Sequence, residues 1–175
     1  ECAYFDRPRD RQDARDRPVK SILFVCTGNI FRSMIAEYAL KKALGQHSPY
    51  QVASAGTQAN PQAIVPLVLQ CLQQYDIDPT QHQQRRIVPE LFVESELLVA
   101  MGCDHQEFIS AHFGEQPPLF NEICHRRSEP VLDTNEAVPD FADNPSARDR
   151  HIGFVVDHIC QSMPAFIENV PSFLT

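Results

Sequence analysis

Several features are missing from this sequence of 175 residues, and each absence argues against a class of protein. No apolar run is long enough to span a membrane, and no internal repeat is visible. The six cysteines are dispersed without a C-x-x-C pair, so the sequence offers neither a zinc site nor a disulfide framework. Acidic residues outnumber basic ones by 23 to 15, and the formal net charge is −8. We therefore expect neither nucleic acid nor an anionic membrane as a partner.

The first 18 residues differ in composition from the rest of the chain. They carry five acidic residues and five arginines with few aliphatic residues, so they cannot bury much apolar surface. They also lack the apolar core of a signal peptide. We predict that residues 1–18 form a disordered charged extension and that residues 19–175 form one domain, located in the reducing cytoplasm.

The alternation of apolar runs and helical patterns predicts the fold. With 43% hydrophobic residues, the chain can bury one sizeable core. Short apolar runs alternate with amphipathic helical patterns. The runs lie near 19–26, 50–54, 96–101 and, more weakly, 118–120, and the patterns include 61–76 and 148–163. This order predicts a doubly wound three-layer α/β fold with a central, mostly four-stranded parallel sheet. A ligand is then expected at the loop after the first strand.

That first loop carries groups that could bind a phosphate-sized anion. The run 21–25 predicts a buried strand, and residues from Met34 onward have helical periodicity. Five residues separate Cys26 from Arg32, which is enough for a ring of backbone N–H groups at a helix N-terminus. Such surroundings favour the anionic form of a thiol, and the planar guanidinium can hold two phosphate oxygens.

Two neighbouring residues fit the same interpretation. Gly28 supplies the permissive backbone that a ring of inward N–H groups needs. Ser33 could either cap the following helix or donate a hydrogen bond to the thiolate. The pattern therefore predicts that Cys26 is a nucleophile, and a buried structural cysteine is the alternative.

The segment VCTGNIFRSMIAE at 25–37 resembles the signature of the low-molecular-weight protein tyrosine phosphatases. Four further segments resemble parts of that family in the same order. They are SAGT at 54–57, IDPTQH at 77–82, LLVAM at 97–101 and AVPD at 137–140. The five matches together extend over about residues 19–165 and are far more specific than the loop alone.

The resemblance implies hydrolysis of a phosphotyrosine protein or a small aryl phosphate through a phosphocysteine intermediate. Cys26 is then the nucleophile, Arg32 and the loop amides bind the phosphate, and Asp140 is the general acid and base. Neither a metal nor another cofactor is implied. The implied substrate-binding residues are Thr27, Gly28, Asn29, Ile30, Phe31, Arg32 and Ser33, and the implied supporting residues are Asn29, Ser33 and His82. A surface position is the alternative for the histidine.

The sequence departs from the family pattern at several positions. Phe31 stands where a second loop cysteine is common, so we expect no vicinal disulfide that would protect the nucleophile. Phe141 replaces the proline after the acid and is expected to offer an apolar face to a phenyl ring. The identity of the acid is therefore open. Asp143 is the alternative to Asp140, and Asp133 is the least favoured candidate.

The substrate class and the function each have alternatives. Ile30 favours phosphotyrosine, because members that resemble arginine phosphatases tend to carry threonine there. A thioredoxin-coupled arsenate reductase shares the loop but needs two further cysteines close together, and Cys103 has no other cysteine within a dozen residues. A third possibility is a phosphate-binding or phosphoprotein-binding module without efficient acid catalysis. Nothing in the sequence predicts the oligomeric state.

Overall fold

The computed structural model describes residues 19–174, so the expectation of a disordered extension at 1–18 concerns a segment outside the described residues. Strands and helices alternate in the described range. In chain order they are β1 (Lys20–Cys26), α1 (Arg32–Leu44), β2 (Tyr50–Gly56), α2 (Pro66–Gln73), α3 (Pro89–Glu94), β3 (Leu97–Ala100), α4 (Cys103–Phe113), α5 (Phe120–His125), α6 (Thr134–Ala137), α7 (Pro145–Gln161) and α8 (Met163–Asn169), followed by a 3₁₀ helix (Val170–Phe173). No helix between residues 19 and 174 has both the length and the apolar character to cross a membrane.

The three strands form a parallel sheet in the order β2-β1-β3. Strand β1 lies in the centre, and its residues from Ile22 to Cys26 are all buried, as is typical of a parallel strand that is covered on both faces. The register pairs Cys26 with Gly56 of β2 and Val25 with Ala100 of β3. The carboxyl ends of all three strands therefore meet beside Cys26.

The predicted fold class is confirmed, although three strands rather than four are present between residues 19 and 174. Where a fourth strand was expected, a single parallel bridge joins Ala100 to Leu119. Pro117 and Pro118 lack the N–H groups that would continue a ladder, and helix α5 begins at Phe120. The chain can therefore pair with β3 at one point only.

Helices cover both faces of the sheet and complete the three layers. Ile22 and Phe24 of β1 point into a large core that is filled by α1, α2, α5, α7 and α8. Leu23 and Val25 point into a smaller core on the other face, which Ile109 of α4 and residues of α3 complete. The alternation of side chains along a strand thus divides β1 between two cores.

Two helix boundaries differ from the predicted ones because prolines set them. Helix α2 begins at Pro66 rather than near residue 61, since a proline at the first helical position needs no N–H partner. Helix α7 begins at Pro145, earlier than predicted, and the Asn144 side chain caps it by accepting from Ala147 N.

Three phenylalanines pack together at the centre of the larger core. The ring centroid of Phe24 lies 6.3 Å from that of Phe120 and 5.4 Å from that of Phe166, and the last two are 5.9 Å apart. All three rings are fully buried. The cluster connects β1 to α5 and α8.

We expect Phe166→Ala to lower the free energy of unfolding by about 3 to 5 kcal/mol, because it leaves a cavity where a buried ring packs. Phe154→Ala is the matched control, since that ring on α7 is 62% exposed and its loss should cost below about 1 kcal/mol. Urea denaturation followed by circular dichroism measures both. Equal losses in the two variants would contradict the assigned core.

Candidate active site

The loop between β1 and α1 encloses the predicted nucleophile. Cys26 is the last residue of β1 and is 2% exposed, and Arg32 is the first residue of α1. Gly56 of β2 lies directly against this loop. A Cβ at Gly56 would lie only 2.5 Å from the carbonyl oxygen of Thr27, so no other residue would let β2 approach the loop so closely.

Four consecutive carbonyl groups of the loop point outward to donors that lie outside it. The pairs are Cys26 O with Thr57 N (2.9 Å), Thr27 O with Gln58 N (2.9 Å), Gly28 O with Gln84 Nε2 (2.7 Å) and Asn29 O with His82 Nε2 (2.7 Å). A peptide group carries its N–H opposite its carbonyl, so the outward carbonyls turn the following N–H groups toward the inside of the ring. Such a ring at the start of a helix is an anion-binding site.

Asn29 holds the ring in shape from within the protein. It has φ of +54°, a left-handed conformation that asparagine tolerates better than most residues, and it is fully buried. Its Nδ2 donates to Ser33 Oγ at 3.1 Å and to Ser54 Oγ at 2.8 Å, while its Oδ1 accepts from Arg85 N at 3.0 Å. These three hydrogen bonds connect Asn29 to α1, to β2 and to the segment that contains Arg85.

Ser33 contacts the sulfur atom directly. Its Oγ lies 2.9 Å from Cys26 Sγ, and both residues are buried. Because Ser33 Oγ already accepts a hydrogen from Asn29 Nδ2, its own proton is free to point at the sulfur. Of the two roles that the sequence left open for Ser33, the geometry favours a hydrogen bond to the sulfur of Cys26, and α1 has no side-chain cap at its N-terminus.

The support continues behind Asn29 to a buried carboxylate. Ser54 Oγ donates to Glu37, which is 8% exposed and also accepts from Lys41 Nζ at 2.5 Å. The His82 side chain is 4% exposed, and its Nδ1 lies 3.9 Å from Glu37. Since His82 Nε2 faces the carbonyl oxygen of Asn29, the imidazole donates a hydrogen bond to the loop.

Arg32 lies beneath the ring and is 1% exposed. Its guanidinium donates to Val131 O at 3.0 Å and to Asp133 Oδ2 at 2.9 Å, and it lies 3.5 Å from Glu136 Oε1. A buried cation needs such partners, because an unpaired charge in the interior is costly. Two of its five N–H donors are thus committed in this structure, and the guanidinium also lines the cavity.

A cavity of about 340 Å³ opens above Cys26. The loop residues Thr27, Gly28, Ile30 and Phe31 line it, together with Arg32. The remainder of the wall comes from other elements. It consists of Gln58, Gln62, Val65, Val68, Asp133, Thr134 and Ile152. The cavity lining therefore combines polar groups with the apolar side chains of Val65, Val68 and Ile152.

The structure brings a different acid to this cavity from the one that the sequence favoured. Asp133, the least favoured candidate, lines the cavity and caps helix α6, where its Oδ1 accepts from Thr134 N. Asp140 and Asp143 are both exposed and lie outside the lining, and Asp140 Oδ2 accepts from Asn144 Nδ2 at 3.3 Å. Phe141, expected as an apolar wall, also lies outside it.

Sequence reasoning gave no role to two further residues that contact the loop. Gln84 donates to Gly28 O and accepts from Gln62 N at 2.8 Å, so it connects the ring to the cavity wall. His105 lies against Thr27 and is 1% exposed. Burial, aided by the charge of Arg32, lowers the pKa of His105 to about 4. No local sequence motif marks either residue, because each contact crosses more than 50 positions.

The cavity is formed without a cluster of metal ligands. Within the part of the chain that the structure describes, no group of three or more histidine, cysteine, aspartate or glutamate side chains could hold a metal ion. The positive charge available to an anion in the cavity is that of Arg32 and the loop amides.

Comparisons with known proteins agree with this geometry. The family model described as low molecular weight phosphotyrosine protein phosphatase matches residues 21–144. The low molecular weight protein-tyrosine-phosphatase PtpB of Staphylococcus aureus is 34% identical over 100 residues, which are 57% of this chain and 68% of that protein. Arsenate reductase 2 of Staphylococcus haemolyticus is 34% identical over 85 residues, which are 49% of this chain and 62% of that protein.

Solved structures share the fold. A YwlE mutant from Bacillus subtilis superposes with a TM-score of 0.72 at 24% identity, covering 87% of this chain and 99% of that one. The tyrosine phosphatase Wzb from Escherichia coli K30 in complex with sulphate gives 0.69 at 23% identity, covering 87% and 99%. The chain therefore belongs to the low-molecular-weight protein tyrosine phosphatase family, a class of cysteine-dependent phosphatases.

We expect Gln84→Leu to weaken the binding of inorganic phosphate by roughly three- to tenfold, the effect of losing about one oriented hydrogen bond. Without the amide, the carbonyl of Gly28 loses its outward partner and can turn toward the anion. Gln83→Leu is the matched control, because Gln83 is an exposed neighbour that does not line the cavity. Isothermal titration calorimetry compares the two, and equal affinities would remove Gln84 from the support of the ring.

Proposed function

We propose that this protein hydrolyses phosphotyrosine and other aryl phosphate monoesters through a phosphocysteine intermediate on Cys26. The observation that carries the proposal is the surroundings of the sulfur. Cys26 Sγ lies at a ring of inward backbone N–H groups, 2.9 Å from a hydroxyl whose proton is free to point at it. A thiolate and a phosphate dianion are stabilised by the same set of donors.

In the first step, Cys26 Sγ attacks phosphorus while the bond from phosphorus to the phenolic oxygen breaks. The negative charge of the transition state lies on the equatorial oxygens, which the loop amides and Arg32 bind. Arginine suits this task because its planar guanidinium can donate to two oxygens at once. The Arg32 side chain is already held in place by Val131 O, so little ordering is needed when the substrate binds.

We assign the general acid to Asp133 rather than to Asp140. Asp133 lines the cavity and lies beside Arg32, whereas Asp140 is exposed and lies outside the lining. The substrate dianion takes the place of the Asp133 carboxylate beside the guanidinium. This frees the carboxyl group to carry the proton that the leaving phenolate oxygen needs.

In the second step, water attacks the phosphocysteine and the sulfur leaves as a thiolate. Asp133, now deprotonated, accepts the proton of the water. The hydroxyl of Ser33 donates to the departing thiolate, which stabilises the product of this step. Asn29 keeps that hydroxyl oriented in both steps.

The wall of the cavity supports an aryl substrate. Phe31, Val65, Val68 and Ile152 offer apolar surface above the ring, where a phenyl group would lie once its phosphate reaches the sulfur. Ile30 belongs to the same lining. YwlE from Geobacillus stearothermophilus is described as an arginine phosphatase, and this apolar wall favours an uncharged phenyl ring over a guanidinium.

The thiol nucleophile and the surface charge also bear on the compartment and the partners of the protein. A free thiol as nucleophile requires a reducing compartment, so we place the protein in the cytoplasm. Its formal charge of −8 disfavours nucleic acid as a partner, and the phosphate is captured by the local charge of Arg32.

Arsenate reduction is the second candidate, because one relative bears that name. A thiol relay needs thiolates near the nucleophile, but burial raises the pKa of Cys124 and of Cys160 to about 12. Burial also raises the pKa of Cys71. Cys103 is exposed and is the one free thiol left for such a relay among the described cysteines besides Cys26. The geometry therefore supports hydrolysis better.

We expect Cys26→Ser to abolish the hydrolysis of 4-nitrophenyl phosphate, with a loss of roughly 10³-fold or more, because serine is a far weaker nucleophile without a base. The assay uses reduced protein with a chelator present. Cys103→Ser is the control and should keep wild-type activity, since Cys103 lies outside the cavity. Appreciable turnover by the Cys26 variant would contradict the nucleophile. Arsenate reduction with thioredoxin, lost in both variants, would instead support the second candidate.

We expect Asp133→Asn to lower kcat by roughly 10²- to 10⁴-fold, the usual contribution of a positioned acid. Asparagine keeps an oxygen that can accept from Thr134 N, so helix α6 should remain capped. The loss should be larger with phenyl phosphate than with 4-nitrophenyl phosphate, because the poorer leaving group needs the proton more. Asp140→Asn should remain close to the wild type. The opposite ranking of the two variants would return the role to Asp140.

A further inference from the structure

His105 is a buried titratable residue that takes no part in the steps above. It lies in the first turn of α4, directly after the carboxyl end of β3, and is 1% exposed. Its Nε2 is 2.9 Å from Thr27 Oγ1, the hydroxyl of the residue that follows the nucleophile. Its Nδ1 is buried without a hydrogen-bond partner and lies 3.4 Å from Asp104 Oδ1.

Gly102 explains why the imidazole and this carboxylate lie so close together. A Cβ at Gly102 would be 2.7 Å from Asp104 Oδ1 and 3.2 Å from His105 Nδ1. Both side chains therefore occupy space that any other residue at this position would fill. The Asp104 side chain remains 60% exposed, and one of its oxygens lies 3.4 Å from Nδ1.

The neighbours of the ring determine which nitrogen carries the proton. Burial and the charge of Arg32 keep the ring neutral, since they lower its pKa to about 4 against the opposing effect of Asp104 and Asp133. A neutral imidazole has one N–H and one acceptor nitrogen. A carboxylate oxygen 3.4 Å away, although it makes no hydrogen bond to the ring, favours the hydrogen on Nδ1 electrostatically, which leaves Nε2 to accept from the hydroxyl of Thr27.

We propose that His105 is a positioning residue of the phosphatase site, which orients Thr27 and through it the first peptide groups of the phosphate-binding ring. Thr27 is then held from two sides. Thr57 and Gln58, which follow β2, donate to the carbonyls of Cys26 and Thr27, while His105, which follows β3, binds the side chain. The two carbonyl contacts hold the backbone of this residue from the β2 side, and the hydroxyl contact holds its side chain from the β3 side.

The contact with His105 also determines where the proton of the Thr27 hydroxyl points. Its single proton goes to His105 and does not compete with Ser33 for the sulfur. Because the ring is neutral, this support adds no second cation beside Arg32. The inference rests on the proposed function for its kinetic consequence, but the tautomer of His105 can be measured without turnover.

A double-mutant cycle tests the proposal. His105→Phe keeps a ring without an acceptor, and Thr27→Val keeps the branched shape without the hydroxyl. Each should weaken orthovanadate inhibition and lower kcat/KM by roughly tenfold, the effect of one lost hydrogen bond, and the double variant should lose no more than either single one. His105→Gln, whose oxygen can reach the position of Nε2, should restore most of the loss.

Additive losses, or Thr27→Val that matches the wild type, would overturn the proposal and leave His105 as a packing residue. Thermal unfolding of each variant separates a folding defect from a positioning defect, and Thr27→Val tests the contact without altering the buried ring. Long-range ¹H–¹⁵N spectra of the wild type should show the Nδ1–H tautomer without titration between about pH 5 and 8. An Nε2–H tautomer would contradict the proposal even if the enzyme is fully active. Failure of hydrolysis with this tautomer present would count against the proposed function alone.

Discussion

The outward anchoring of four loop carbonyls is the constraint on which the rest of the site depends. Backbone N–H groups gather around one point only if the carbonyls between them are satisfied elsewhere. Here the donors are two backbone amides after β2 and the side chains of Gln84 and His82. The parallel pairing of β1 with β2 brings these donors into reach, because it sets Cys26 opposite Gly56. The sheet register is therefore also the register of the anion site.

A second constraint is that the buried charges of Arg32 and Glu37 need partners. Arg32 is almost fully buried and is paired with Asp133, while Glu37 behind the ring is paired with Lys41 and Ser54. Each pairing compensates a charge whose burial would otherwise cost free energy. The first pair faces the cavity and the second lies behind Asn29, so only the first can be exchanged for substrate. In the proposed mechanism, the same contact that stabilises Arg32 in the absence of a ligand places Asp133 beside the leaving group.

The local part of the site could be predicted from the sequence, whereas the sequence alone could not select among the distant residues. Cys26, Asn29, Arg32 and Ser33 lie within one strand–loop–helix unit, where an apolar run and a helical period fix the geometry of neighbours. Asp133 lies about a hundred positions away, and three aspartates near the late loop could each reach the cavity by length alone. The pattern Asp-x-x-Glu from Asp133 to Glu136 is a helix-capping signature, and it marks where the short helix α6 begins.

The loop that follows Cys26 is held from both sides, which restricts its conformation. Cys26 ends the central strand, so the loop that follows it has neighbours on both sides, from β2 and from β3. On one side, a Cβ at Gly56 would meet the backbone of the loop, and on the other, a Cβ at Gly102 would meet the side chains of Asp104 and His105. Gly56 admits the ring backbone, and Gly102 admits the His105 imidazole. The absence of side chains at these two positions lets residues that follow both flanking strands contact the same five-residue loop.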